Sequence, residues 1–223
     1  MAARLIVLGR QGAGKGTQCT RLAARLDISH LSTGDLLRAE ITAGTPLGRR
    51  LERYVAMGDL VPDEIVLDLV ARNLGNAAAR AEGYLLDGFP RTLAQAQALF
   101  EVLGADAADL ALEIDVPVDV VTARLAARRM CAMCRRVTAV SRGDESRLCH
   151  DCGGVLTRRT DDHPEAIARR LAVYEEQAGP LLVWLDSQGL LVTVDGSGPA
   201  DAVHDRVVAA VAERLPAVRA IAF

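Results

Sequence analysis

A short apolar run, "LIVL" (5–8), passes directly into "GRQGAGKGTQ" (9–18). Gly9, Gly14 and Lys15 match the pattern G-x-x-x-x-G-K-[ST], but position 16 is Gly and the hydroxyl arrives one place late, as Thr17. A glycine-rich turn between a strand and a helix aims several backbone N–H groups at one anion, and the helix N-terminus adds its partial positive charge. The chemistry open to such a loop is the holding of a polyphosphate, with Lys15 reaching the outer oxygens. The plainer alternative is a tight strand-to-helix turn, but tightness alone requires neither so many glycines nor a lysine. Of the 26 basic residues Lys15 is the only Lys. A compact ammonium on a flexible stem fits between phosphates where a planar guanidinium does not.

Three further groups could do chemistry. "LLDGFPRT" (85–92) is an apolar strand ending in Asp87, where phosphate-binding-loop proteins place a carboxylate near magnesium, and Arg91 follows within reach of a phosphate. Asp87 could equally cap a turn. Arg38 closes "STGDLLR" after another turn; an Arg on phosphate is charge-assisted and bidentate, although most of so many arginines must be solvated. Finally, Cys131, Cys134, Cys149 and Cys152 form two C-x2-C knuckles with 14 residues between them. That spacing brings four thiolates to one tetrahedral ion and leaves no open position, so it predicts structural zinc. Two disulfides, disfavoured in a reducing cytosol, and redox use of one pair are the rival readings. His150 is expected to be exposed and not a ligand, and Cys19 a small core residue.

The elements that must position these groups alternate. Strands are predicted near residues 5, 29, 85, 112 and 192, and helices over 15–26, "STGDLLRAEI", "LGRRLERYVAMG", "PDEIVLDLVARNLG", "RTLAQAQALFEVLG", "PVDVVTARLAARR", "PEAIARRLAVYEEQAGPLLVWLDSQG" and "PADAVHDRVVAAVAERL". This rhythm predicts an α/β fold with a five-stranded parallel sheet and helices on both faces. Two stretches break it: a purely helical one near 32–61 and the cysteine region. Each reads as an insertion on one core. Half of the 223 residues are apolar and only 3% aromatic, so the core is Leu, Val and Ala. The net charge of −3 offers no overall basic excess for nucleic acid. No apolar run approaches the ~20 residues of a membrane span, and the N-terminus is a poor signal peptide. A soluble cytoplasmic chain is expected.

"GRQGAGKGTQ", "STGDLLR", "GDLVPDE", "LLDGFPRTLAQA" and "RRTDDHPEAIARRL" occur in the order and spacing of adenylate kinases, and the resemblance runs from about residue 4 to 198. In that family G-K-G-T is the normal form of the loop, which accounts for the late hydroxyl. The resemblance implies a phosphate-binding-loop core (1–31, 62–126, 163–223), an AMP-binding insertion (32–61) and a β-rich, zinc-bearing lid (127–162). It implies reversible phosphoryl transfer from MgATP to AMP by a monomer. ATP would contact Gly12, Ala13, Gly14, Lys15, Gly16 and Thr17, with Arg124, Arg128, Val137, Thr138 and Gly198. AMP would contact Thr33, Arg38, Asp59, Leu60, Val61, Gly88, Phe89, Pro90, Arg91, Gln95, Arg159 and Arg170. Thr17 and Asp87 would hold Mg²⁺ through water. Lys15, Arg38, Arg91, Arg128, Arg159 and Arg170 would neutralise the phosphoryl oxygens; no protein nucleophile or base is needed, because the AMP phosphate attacks.

The chain departs from the family in places. Gln11 stands where Pro is common, with a small effect expected from a backbone cradle. Thr138-Ala139 replaces a Tyr-His pair that often follows the second lid cysteine, and Gly198 replaces a Lys. Two other functions remain open at this point. One is a nucleoside monophosphate kinase using GTP or a pyrimidine acceptor, against which Gln95 and Thr33 favour AMP. The other is a zinc-ribbon protein that binds nucleic acid through Arg135, Arg136, Arg142 and Arg147, a cluster that lacks aromatics for stacking and is interrupted by Asp144 and Glu145.

Overall fold

The computed structural model describes residues 3–74, 82–140, 148–159 and 161–215. Arg142, Asp144, Glu145 and Arg147 lie outside them. Along the described chain run β1 (Arg4–Leu8), α1 (Lys15–Leu26), β2 (Ser29–Ser32), α2 (Thr33–Thr42), α3 (Pro46–Met57), α4 (Asp63–Leu74), β3 (Tyr84–Asp87) and α5 (Leu93–Leu103). They are followed by β4 (Leu110–Asp115), α6 (Val118–Ala127), β5 (Arg128–Cys131), β6 (Val137–Ala139), β7 (Leu156–Thr157), α7 (Pro164–Ser187), β8 (Leu191–Asp195) and α8 (Ala200–Arg214).

Five strands form one parallel sheet in the order β2-β3-β1-β4-β8. All five predicted strands are in it. β1 is central because both of its faces are apolar. Leu5 and Val7 pack with Leu22 of α1 and Val207 and Val211 of α8, while Ile6 and Leu8 pack on the other face with Val66 of α4, Leu99 of α5 and Leu181 of α7. Strands covered on both faces must read as unbroken apolar runs, as "LIVL" does. Truncating a fully buried residue of this sheet, such as Leu5→Ala or Leu85→Ala, costs about 2–5 kcal/mol.

Parallel strands point all their carboxyl ends to one edge, and ligands of open α/β sheets bind there. Gly9 follows β1, Asp87 ends β3 and Thr33 follows β2 at this edge. The helix starts are set locally. Ser32 Oγ accepts from the N–H of Asp35 (3.4 Å) to open α2, Thr45 Oγ1 from that of Gly48 (2.8 Å) to open α3, and Thr92 Oγ1 from that of Gln95 (3.1 Å) to open α5. The Thr92 cap leaves Arg91 in the loop ahead of the helix.

The sequence carries a helix through Arg128 and Arg129, but α6 stops at Ala127. Arg128 is extended (φ −64°, ψ 135°) and begins β5. Tertiary pairing overrides the helical spacing: Arg128 and Arg129 pair antiparallel with Ala139 and Thr138, and Met130 and Cys131 with Thr157 and Leu156. The second sheet, β6-β5-β7, carries Cys131 at the end of β5, and Cys134, Cys149 and Cys152 lie in the segments between its strands.

Candidate active site

The loop is built by close approach. Gly9 has φ 136° and Gly12 φ 86°, conformations that L side chains rarely adopt. A Cβ on Gly9 would meet the Ile114 carbonyl oxygen at 2.4 Å, and one on Gly12 would meet the Val121 carbonyl oxygen at 2.9 Å. The loop is therefore pressed onto β4 and α6. Gly14 caps α1 without a side chain, so the first N–H groups of the helix, on Lys15, Gly16 and Thr17, face outward. Lys15 folds back over the loop, its Nζ donating to the carbonyls of Gly9 (2.6 Å) and Arg10 (2.9 Å). Asp87, largely buried, approaches the helix start closely enough that a Cβ on Gly16 would lie 3.6 Å from its Oδ2.

Arginines gather around this loop, and carboxylates hold them. Asp161 takes Arg159 on both oxygens (3.0 and 2.9 Å) and Arg170 on one (2.9 Å), while Asp162 takes Arg128 on both. Arg170 also donates to the Val55 carbonyl (2.9 Å), and Arg91 to that of Gly88 (2.8 Å). Arg38 is held by Asp35 at 2.5 Å. Gln11, whose amide orientation is dictated by these neighbours, accepts from Arg128 Nη2 (3.0 Å) and Arg170 Nη1 (3.1 Å).

The electrostatics follow from this crowding. Burial pushes Lys15 down to about 8, against the pull of Asp87. Burial, with Arg170 beside it, lowers Arg91 to about 10, and burial followed by the Arg159 charge lowers Arg38. Burial would raise the Asp161 carboxyl, but Arg159 and Arg170 overcome it and hold it well below the usual carboxylate range. A cluster of cations that suppress one another is a site that gains from a polyanion.

Two cavities meet at the arginines. One is lined by Gly9 and Lys15 of the loop together with Tyr174 and Gln177 of α7. The other lies under α2 and α3 and is lined by Thr33, Arg38, Asp59, Val61 and Gln95. Gln11, Leu60, Arg91 and Arg170 line both.

A sequence profile described as adenylate kinase matches residues 7–190. Adenylate kinase of Moorella thermoacetica is 44% identical over 204 residues, 90% of this chain and 94% of that protein. The adenylate kinases of Thermodesulfovibrio yellowstonii and Agathobacter rectalis are 43% and 41% identical, covering 92% and 94% of this chain and 97% and 100% of the relatives. The chain belongs to the adenylate kinase family. It is thus a phosphotransferase with nucleotide substrates.

Adenylate kinase residues expected from the sequence fall into three groups. Thr33, Arg38, Asp59, Leu60, Val61, Arg91, Gln95 and Arg170 come together around the insertion's cavity. The Asp59 carboxylate is taken by Arg169 (2.7 Å). Gln95 is almost fully buried and already used within the chain: its oxygen accepts from the Arg91 N–H (2.8 Å) and its nitrogen donates to Asp63 (2.6 Å). An amide has two donor hydrogens and two lone pairs, so one of each remains for a base. Gly88 and Pro90 line the loop's cavity, whereas the Phe89 side chain is fully buried in the core.

On the loop side, Arg124 ties two predicted positions together. It donates to the carbonyls of Ala13 (3.4 Å), Gly196 (3.2 Å) and Gly198 (3.3 Å). The Gly198 carbonyl thus helps to hold the Arg124 guanidinium. Val137 and Thr138 are exposed on β6 and line neither of the two cavities. Gln11, expected to have only a small effect, and Asp161–Asp162, noted only as part of a signature, are what hold these arginines; Gln11 and Asp162 find their partners far along the chain, where spacing does not reveal them, whereas Asp161 takes Arg159 two residues before it and Arg170 nine after.

Beside the second sheet the four cysteine sulfurs all lie within 4.8 Å of one another, with Cys131 and Cys152 3.4 Å apart and Cys134 and Cys149 3.7 Å apart. A tetrahedron of Zn–S bonds of about 2.3 Å has S···S edges of about 3.8 Å, so the residues fit one ion shared by four thiolates. His150 is exposed outside the cluster, and Cys19 is fully buried.

Proposed function

We propose that the chain transfers the γ-phosphoryl group of MgATP to AMP, reversibly, giving two ADP. ATP occupies the loop over Gly12–Thr17, and AMP the cavity under residues 32–61. The observation that carries this reading is the shared wall: Gln11, Arg91 and Arg170 border both cavities, so the phosphates of two nucleotides would meet among the cations. A non-bridging oxygen of the AMP phosphate attacks the γ-phosphorus. The bond from that phosphorus to the β–γ bridging oxygen breaks, and ADP leaves with the electron pair. Lys15, Arg38, Arg91, Arg128, Arg159 and Arg170 take up the charge on the equatorial oxygens. Magnesium, when bound with ATP, neutralises the β- and γ-phosphates, and Thr17 and Asp87 would hold its waters.

The supporting parts follow the same reading. Residues 1–31, 62–126 and 163–223 are the core, 32–61 the AMP-binding insertion and 127–162 the lid. Zinc on Cys131, Cys134, Cys149 and Cys152 is structural, because four thiolates fill its coordination. Among the described residues no helix is long and apolar enough to cross a membrane, and we assign the chain to the cytoplasm as a monomer that does not bind nucleic acid. The test is a coupled assay for ADP from ATP with AMP, GMP, CMP or UMP as acceptor. AMP should be strongly preferred; equal rates with all four reject the acceptor reading.

A further inference from the structure

A second group of metal-binding side chains lies behind the loop. Cys19 on α1, His30 on β2 and Asp87 at the end of β3 each offer a ligand atom within 4.8 Å of the other two. His30 Nε2 and Asp87 Oδ2 are 3.4 Å apart. With Zn–N and Zn–O bonds of about 2.0–2.1 Å, the N···O edge of a tetrahedral site is also about 3.4 Å. One edge is therefore already at bonding separation. Edges to a sulfur at about 2.3 Å from the ion are about 3.6 Å, and Cys19 lies within 4.8 Å of both partners, so a shift of at most about 1 Å completes the face. The three side chains are fixed by neighbouring elements of the core: β2 and β3 are paired strands, and Cys19 is fully buried beneath them. His30 and Asp87 keep 22% and 11% of their side chains exposed, leaving an entry path and a fourth position for water.

We propose that Cys19, His30 and Asp87 form an inhibitory site for a thiophilic divalent cation of the zinc class. Sulfur and imidazole select zinc, cobalt or copper over magnesium. Binding releases the Cys19 thiol proton to solvent and leaves a metal thiolate. The consequence for activity rests on the magnesium role proposed above for Asp87: an ion held from behind claims the carboxylate that would otherwise hold the waters of the nucleotide-bound metal. Phosphoryl transfer then slows, and a chelator restores it.

The test uses the full chain, loaded with a single equivalent of zinc, which the four lid thiolates take ahead of a three-ligand site, then desalted and titrated with cobalt(II) in the absence of nucleotide. The expected result is a thiolate-to-cobalt charge-transfer band that saturates at one equivalent, is lost in Cys19→Ala and is weakened at least about tenfold in affinity in His30→Gln. Cys19→Ala keeps the lid cysteines, so any band it retains belongs to the lid. No band, or the same band in Cys19→Ala and His30→Gln, overturns the site. In a second arm, free zinc at fixed free magnesium should inhibit ADP formation by the unaltered chain and spare Cys19→Ala. The cobalt band does not depend on where magnesium sits, so a band without inhibition overturns the inhibitory role and the Asp87–magnesium reading while leaving the metal site standing.

Discussion

Arg159 and Arg170 meet on a single carboxylate oxygen, each placing a guanidinium nitrogen 2.9 Å from Asp161 Oδ2. One arginine follows β7 and the other is on α7, so Asp161 fixes the spacing of two cations that, in the function proposed above, take the same phosphates. Asp161 is 2% exposed. Removing its charge leaves both arginines facing each other.

Asp161→Asn should therefore lower stability by about 3 kcal/mol and raise KM for both nucleotides. The pH dependence has a fixed sign. The folded-state pKa of Asp161 is depressed, so its stabilisation is fully present above the unfolded value of about 3.9 and is lost as pH falls through the lower folded value. Acid unfolding followed by circular dichroism checks this: the parent should lose stability relative to Asp161→Asn below about pH 4. Parallel acid limbs would contradict it.

Gln11 gathers Arg128 and Arg170 without neutralising them. Gln11→Ala removes two bonds to charged groups, each worth about 1.5 kcal/mol or more, and should lower the melting temperature by several degrees as well as kcat/KM at least about tenfold. Gln11→Glu should do worse, because a carboxylate there competes with the incoming phosphates. Steady-state kinetics showing both variants unchanged would return Gln11 to the minor role that a purely backbone cradle implies.

How much of this was legible in the sequence depends on the distance between partners. β1 and its loop were readable because four consecutive apolar residues and the glycines that follow are local signals. So was the cysteine cluster, from ligand spacing alone. The Arg128–Arg129 strand was not, because helical spacing continues through it and only pairing with Ala139 and Thr138 decides otherwise. Nor was the bond between Gln95 and Asp63, which lie 32 residues apart. With 25 arginines in the chain, spacing alone cannot say which carboxylate holds which cation.

Gln95→Leu should cost AMP binding about tenfold to a hundredfold, since a buried amide bonded to Asp63 and Arg91 is replaced by a group that pairs with neither the protein nor a base. Discrimination between AMP and GMP should fall with it. An acceptor panel measured at subsaturating nucleotide reports both effects. A variant that weakens all acceptors equally would make Gln95 a structural brace only.

The lid metal should be structural. Metal analysis of the purified chain should find zinc bound to the four cysteines. Stripping it with a strong chelator at neutral pH should lower the melting temperature and raise KM for ATP. Residual transfer should survive in the cold, because Lys15 and Arg91 stand on the core and not on the second sheet. Metal-free protein with unaltered stability would contradict the assignment.

Lys15 carries the heaviest claim, being the sole ammonium in a cradle of backbone N–H groups. The decisive measurement is ADP formation from ATP plus AMP by the unaltered chain, Lys15→Met and Lys15→Arg, with equal thermal melts establishing that all three are folded. The unaltered chain should form two ADP per ATP consumed, turnover should fall about a hundredfold or more in Lys15→Met, and Lys15→Arg should recover little because a planar guanidinium does not fit between phosphates. Near-normal turnover by Lys15→Met would contradict this role of Lys15.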